Sequence, residues 1–200
     1  MRHKPVGKLS RALGIAVSPK AQKVLDERPY RPGVHGKNGQ NVTEYGRHLR
    51  EKQRLRAQYY ISESQLRRAF QDAARRPGRT GDNLVIDLER RLDAVVLRSG
   101  FARSIYQARQ LVSHGHILVN GSRVDRPAFR LQDGDHVGVR AASQQLPVFV
   151  AAREGRHVDT VAGHLLVDRD GLTAQVLRDA RRDEVPIICD LQLVVEYYAR

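Results

Sequence analysis

The stretch Leu88–Arg123, LERRLDAVVLRSGFARSIYQARQLVSHGHILVNGSR, decides the fold, because every local signal in it points to helix, helix and hairpin. Leu88, Leu92, Val95 and Val96 recur at helical spacing, and Gly100 supplies the residue that most easily takes a left-handed helix end. Ser104 with Gln107 three residues later has the pattern of a capping box. Ile105, Ala108, Leu111 and Val112 then form an apolar stripe that Gly115 closes. Ile117 and Val119 alternate with Leu118, and Asn120-Gly121 signals a two-residue hairpin turn, since both positions accept positive φ. The chain turns back through Arg123 and Val124.

What this unit leaves in water suggests its use. Arg91, Arg98, Arg103, Arg109, Gln110, His114, His116 and Arg123 lie off the apolar stripes. Two packed helices would therefore offer donors and positive charge with almost no acid between them, a face suited to phosphate. An isolated basic run is more often a solvated face balanced by acids, but here the balancing acids are few.

Composition points the same way. The 200 residues carry 35 Lys and Arg against 22 Asp and Glu, a formal charge of +13. That is the electrostatic footprint of a nucleic-acid binder, with an anionic membrane surface as the competing partner. There is no run of 18 apolar residues, and the N-terminus has no apolar core of signal-peptide length, so a cytoplasmic protein without membrane insertion is expected. The lone Cys189 permits neither an internal disulfide nor a multi-cysteine zinc cluster, and reads as a small buried residue.

Outward from the central stretch, residues 1–45 read as a basic N-terminal extension. RPYRPGVHGKNGQ, from Arg28 to Gln40, has no sustained apolar period. Residues 1–60 hold 14 Lys and Arg against four Asp and Glu, about +10 of the total +13. Such a segment repels itself and is expected to order where phosphates neutralise it. From Tyr45, YGRHLREKQRLRAQYY predicts a helix basic on most sides, with one edge, Leu49 with Tyr59 and Tyr60, against protein. Ser62 and Gln65 repeat the capping-box spacing ahead of Leu66, Ala69, Phe70 and Ala73, with Leu66 and Phe70 as core. Arg75-Arg76-Pro77-Gly78 ends that helix. Thr80 or Asp82 is then expected to cap a long helix running into the central stretch.

Beyond the hairpin, Ala128–Arg140 reads as strand, turn and strand, with Phe129 and Leu131 before Gln132-Asp133-Gly134-Asp135 and Val137 and Val139 after it. Ala141–Glu184 is less legible, with strands expected at Leu165–Val167 and Leu172–Val176 about a turn at Asp168–Gly171. Asp190 can cap a last helix carrying Leu191, Val194, Val195 and Tyr198 on one face. The expected fold class is α+β: a helical domain at 46–88, completed by 186–200, with an RNA-binding domain inserted at 89–185. The inserted domain has a core module at 89–140 of two helices plus a small antiparallel sheet.

YGRHLREKQRLR, LERRLDAVVLRSGFA and ARQLVSHGHILVNG, in this order and spacing, resemble the bacterial small-subunit ribosomal protein four family. The likeness runs from about Arg28 to the C-terminal IICDLQLVVEYYAR. It implies a primary binder of small-subunit (16S) ribosomal RNA that helps nucleate subunit assembly. It also implies a place beside mRNA at the channel through which it enters, contact with small-subunit ribosomal protein five, and influence on translational accuracy. The candidate RNA contacts are Lys8, Arg11, Arg31, His35 and Lys37 in the extension, and Tyr45, Arg47, Arg50, Lys52, Arg54 and Arg56 on the basic helix. In the module they are Arg91, Arg103, Arg109, Gln110, His114, His116, Asn120 and Arg123.

Two features depart from the family pattern. Many members carry a zinc-binding cysteine cluster in the N-terminal arm, and residues 1–46 hold no cysteine, so the chain resembles the cysteine-free form and no metal or other cofactor is expected. Lone histidines such as His3, His35 and His48 do not replace such a cluster. Residues 141–184 match the family only loosely. The rival reading is an RNA-modifying enzyme, a pseudouridine synthase using the same module, because Arg91-Leu92-Asp93 is similar to the short string that carries the nucleophilic Asp there. Asp93 instead falls inside the module's first helix, where pairing with Arg90 or with a nearby helix is the expected role. With no further acid, base or nucleophile constellation, no enzyme is expected.

Overall fold

The computed structural model describes residues 5–38, 41–157 and 161–199, and His3 lies outside them. The fold is α+β, and its contacts divide the chain into one compact unit of residues 1–75 with 187–200 and a second of 76–186.

The first unit is helical. α1 (Val6–Leu13) ends on Gly14 at φ 68, and α2 (Pro19–Glu27) begins at Ser18, whose side chain accepts from the Ala21 amide. Leu13, Ile15, Val17 and Ala21 are buried, and a Cβ at Gly7 would sit 3.1 Å from Val24, so α1 and α2 pack closely. This corrects the expectation of an extension without a core. Each helix is short, but pairing them buries one apolar edge apiece, which a search for a long periodic run overlooks.

α3 (Glu44–Gln58) starts at the Thr43 cap, and α4 (Glu63–Ala74) at the Ser62–Gln65 box, in which both reciprocal bonds are present. The C-terminal α9 (Leu191–Ala199) packs along them, capped by Asp190, whose carboxylate accepts from the Gln192 and Leu193 amides. Gln58 pins the segment leading into α9 by donating to Ile188 O and accepting from Ile188 N. Tyr59 and Leu66 are buried, whereas Leu49, Tyr60 and Phe70 are half-buried, Phe70 stacking on Tyr198 at 4.9 Å. Cys189 is half-buried rather than buried.

The second unit opens with α5 (Thr80–Glu89), which neither Thr80 nor Asp82 caps through its side chain. Asp87 on this helix accepts from Arg76 at 2.7 Å and Arg130 at 2.6 Å, both residues of the second unit. α5 therefore groups with the second unit, in contrast to the expected helical domain reaching residue 88.

The long helix expected through Leu88 is also broken, because α6 (Leu92–Arg98) is separate. The break has a partner: Leu131 N donates to Arg90 O, while Leu92 N and Asp93 N donate to Phe129 O and Pro127 O. Residues 127–131 thus satisfy the first amides of α6. Phe129 and Leu131 consequently do not build a strand; that segment makes one isolated bridge, Arg91 to Arg130.

Gly100, at φ 76, ends α6, and α7 (Ile105–Ser113) starts at Ser104, whose hydroxyl accepts from Gln107 N. Gln107 reaches back to Arg103 N rather than to Ser104 N, so the box closes one residue early. β1 (Ile117–Val119), β2 (Ser122–Arg123), β3 (His136–Val139), β4 (Leu165–Asp168) and β5 (Thr173–Val176) form an antiparallel sheet in the order β2-β1-β3-β5-β4. The turn Asn120-Gly121 has φ 49 and 79.

Ile117, Val119, Val137, Val139, Leu165, Ala174 and Val176 cluster with Val96, Ala108, Leu111 and Val112. Phe149 and Ala152 of α8 (Pro147–Arg153), a helix for which the sequence carried no clear period, complete this core.

The second unit also contains a buried, acid-sensitive spot. His164 is 3% exposed, and neither ring nitrogen has a hydrogen-bond partner. Burial pushes its pKa down, helped by Arg98 and Arg178 and opposed by Glu89 and Glu184. Arg178 in turn holds Glu184 at about 2. A histidine depressed in the folded state costs stability once the unfolded chain protonates, below pH of about 6.5. A depressed carboxylate contributes stability above its unfolded value that is lost as pH falls toward 2. Both effects act in one direction, so the melting temperature should decline from pH of about 6.5 downward. His164→Leu should flatten the upper part of that decline in a thermal scan series, and a flat wild-type curve down to pH of about 5 would contradict this account.

Candidate nucleic-acid interface

In the second unit the basic side chains converge where α7 passes into β1. Gly115, at φ 74, makes that turn, and a Cβ there would overlap the Arg123 guanidinium, which lies over it. The His114 and His116 rings stand 6.2 Å apart. His116 Nδ1 pairs with Ser143 Oγ at 2.9 Å, and its ring meets Phe149 edge-on. Burial lowers the His116 pKa, and His114, Arg140 and Arg123 lower it further. Among the described residues the charges that act on this ring are those of His114, Arg140 and Arg123, so a phosphate oxygen placed here would meet donors.

Arg140 is a member the sequence reading missed. Antiparallel pairing of Ile117 with Val139 sets His116 beside Arg140, whose amide donates to His116 O. Only the register of two strands about 20 residues apart brings them together, and no local pattern announces it. Gln110 is exposed on α7, and Arg103 is exposed just ahead of its Ser104 cap.

Other expected contacts are committed elsewhere. Arg91 is buried and donates twice to Asp93, at 3.0 and 2.8 Å. Arg109, about a third exposed, lies 3.6 Å from the same carboxylate, so it is at least partly turned inward. Asp93 thus pairs with Arg91 and Arg109, while Arg90 bonds Asp133 and Asp179. The Asn120 amide is locked in the hairpin, donating to Asp135 and accepting from His136 N.

The first unit sorts similarly. Lys52 is buried, 3.0 Å from Glu63 and over the Tyr197 ring at 4.2 Å, and is not available to phosphate. Arg54 donates to Leu13 O and Glu51, and Arg56 lies 3.5 Å from Glu63. Arg11 donates to Tyr30 O and Arg31 O, which makes it a holder of the loop. Lys8, His35, Lys37, Tyr45 and Arg47 are exposed, and Arg31 and Arg50 half-buried. Whether a cation on a basic helix is left for a ligand depends on the acids packed beside it, here Glu51 on α3 itself and Glu63 at the start of α4, which a count of charges does not show.

Residues 90–137 match the S4 domain family, and residues 1–89 match the family described as Ribosomal protein S4/S9 N-terminal domain. The chain is 55% identical over 199 residues to "Small ribosomal subunit protein uS4" of Streptomyces avermitilis, covering 98% of each chain. This chain belongs to the uS4 family. The protein of the same name from Paenarthrobacter aurescens is 54% identical, covering 100% of this chain and 98% of its own, and that of Streptomyces coelicolor is 53% identical over 98% of each.

The S4-domain match begins at Arg90, where α5 gives way to α6, and spans the cluster of His114, His116 and Arg123. The uS4 family is not enzymatic. The Asp93 side chain is 0% exposed and held by Arg91, so no nucleobase reaches it. Among the described residues no three His, Cys, Asp or Glu side chains gather as a metal site. No helix among them is long and apolar enough to cross a membrane.

Proposed function

We propose that this chain is a structural protein of the small ribosomal subunit that binds its RNA through phosphate contacts and acts without catalysis. The observation that carries this is the group of Arg123, Arg140, His114 and His116 about Gly115, of which all but Arg140 lie inside the segment that matches the S4 domain. Exposed cations of the first unit extend the contact. By family relationship the protein is a primary 16S RNA binder that nucleates assembly in the cytoplasm. The same relationship supports contact with small-subunit ribosomal protein five and with mRNA at the channel through which it enters, and an effect on translational accuracy.

Sedimentation of a cell lysate tests the reading: the protein should travel stoichiometrically with the small subunit, and a free or substoichiometric protein would overturn it. Crosslinking in purified subunits should recover RNA at Arg123 and protein five as a neighbour.

Arg123→Ala should weaken binding to folded small-subunit RNA by about 1.5–3 kcal/mol, roughly 10- to 150-fold, through loss of a charge-assisted bond. Arg123 is exposed on a two-residue edge strand, so the melting temperature should stay put. Equal affinity in a filter-binding titration would remove Arg123 from the interface.

A further inference from the structure

Arg31 and Arg50 line one cavity of about 360 Å³ in the first unit, together with Leu13, Thr43, Gly46 and Gln53. Arg50 projects from α3, and its Nε is buried without a hydrogen-bond partner. Burial lowers its pKa, and Arg31 and Arg54 lower it further. Glu51 is the carboxylate whose charge reaches it, but Glu51 Oε1 is engaged by Arg54 at 2.8 Å and Oε2 by the Asp190 amide at 3.0 Å. A half-buried guanidinium facing like charge, with a donor unsatisfied, is unfavourable in the free protein. An oxyanion in the cavity would relieve both costs at once.

The loop that presents Arg31 is built to hold it there. Arg11 donates to Tyr30 O at 2.9 Å and Arg31 O at 3.2 Å, and its guanidinium lies over the Tyr30 ring at 4.8 Å. Gly36 packs so tightly beneath this loop that a Cβ would overlap the Arg31 carbonyl. A solvated, purely electrostatic face would need no such fixing of one arginine opposite another.

We propose that this cavity is a phosphate site, in which Arg31 and Arg50 together grip a single phosphodiester group of the small-subunit RNA. The proposal rests on the RNA-binding reading above and names one of its contacts. It assigns Arg50 a role that weakens the free protein and strengthens the complex, the reverse of a structural ion pair. Arg11 acts through Arg31 and is a positioning residue.

The test uses the full chain and its Arg50→Met and Arg31→Met variants, since methionine keeps an apolar stem in place of the arginine's. Each variant should bind small-subunit RNA roughly tenfold or more weakly, with a salt slope flatter by roughly 0.7–0.9. Arg50→Met should melt, without RNA, at or above the wild-type temperature. Inorganic phosphate serves as the second probe. If it stabilises the wild type but not Arg50→Met while RNA affinity is unchanged, the site takes a free anion and the RNA assignment is overturned. Unchanged affinity and slope with no phosphate effect overturns the site altogether, as does Arg50→Met melting several degrees lower, which would make Arg50 a structural group. Wild-type protein that fails to bind the RNA would refute the functional reading itself, a result distinct from any of these.

Discussion

Asp93→Ala should destabilise the second unit by about 3–5 kcal/mol, the cost of leaving a buried charge without its partner. The Asp93 carboxylate is 0% exposed and accepts from Arg91 Nε and Nη2 and from the Ala94 amide, with Arg109 at 3.6 Å. Arg91, 8% exposed at its side chain, has no water to fall back on when that carboxylate goes. In a protein of this size each kcal/mol moves the melting temperature by roughly 2–4 °C, so the loss is large in a thermal scan and in urea. Replacing both members with leucine should recover most of it, because a buried pair contributes little net stability over an apolar pair of like volume. A single-variant loss under about 1 kcal/mol would mean that the Arg91 guanidinium escapes to solvent, and the account of Arg91 as a buried structural group would fail.

Binding to folded small-subunit RNA should fall steeply with salt. Each neutralised phosphate contributes roughly −0.7 to −0.9 to the slope of log affinity on log salt. Six to ten contacts would thus remove roughly 10³- to 10⁵-fold of affinity between about 50 and 200 mM salt. The concentration of about +10 in residues 1–60 motivates the expectation. The structure lowers the contact number, since Lys52, Arg54 and Arg91 are engaged by Glu63, Glu51 and Asp93. A slope as steep as the whole cation count would contradict that sorting, and a nearly flat titration would remove phosphate neutralisation as the source of affinity.

The candidate site was legible in part. Arg123, His114 and His116 stand where the hairpin and the end of α7 place them, because Gly115 and Asn120-Gly121 leave the backbone little choice. Arg140 was not legible, since it joins them through the β1–β3 register. Arg91 was misread for a related reason. It lies off the helical stripe in a continuous helix, but the strap 127–131 interrupts that helix and turns Arg91 inward onto Asp93.

The sequence by itself determined the elements whose bonds close within a few residues. The Ser62–Gln65 box, the Ser104 cap, the Gly100 helix end, the Asn120-Gly121 turn and the Asp190 cap each depend on residues at most four apart, so their chemistry is written locally. Tertiary structure alone decided which cations face water. Lys52 is removed from solvent by Glu63 and by Tyr197, 145 positions away, and Arg50 is left without an acceptor because Glu51 is held by Asp190. A side chain's charge is local, but its solvation and its partner belong to whichever distant segment packs against it, and that is settled only when the chain has closed on itself.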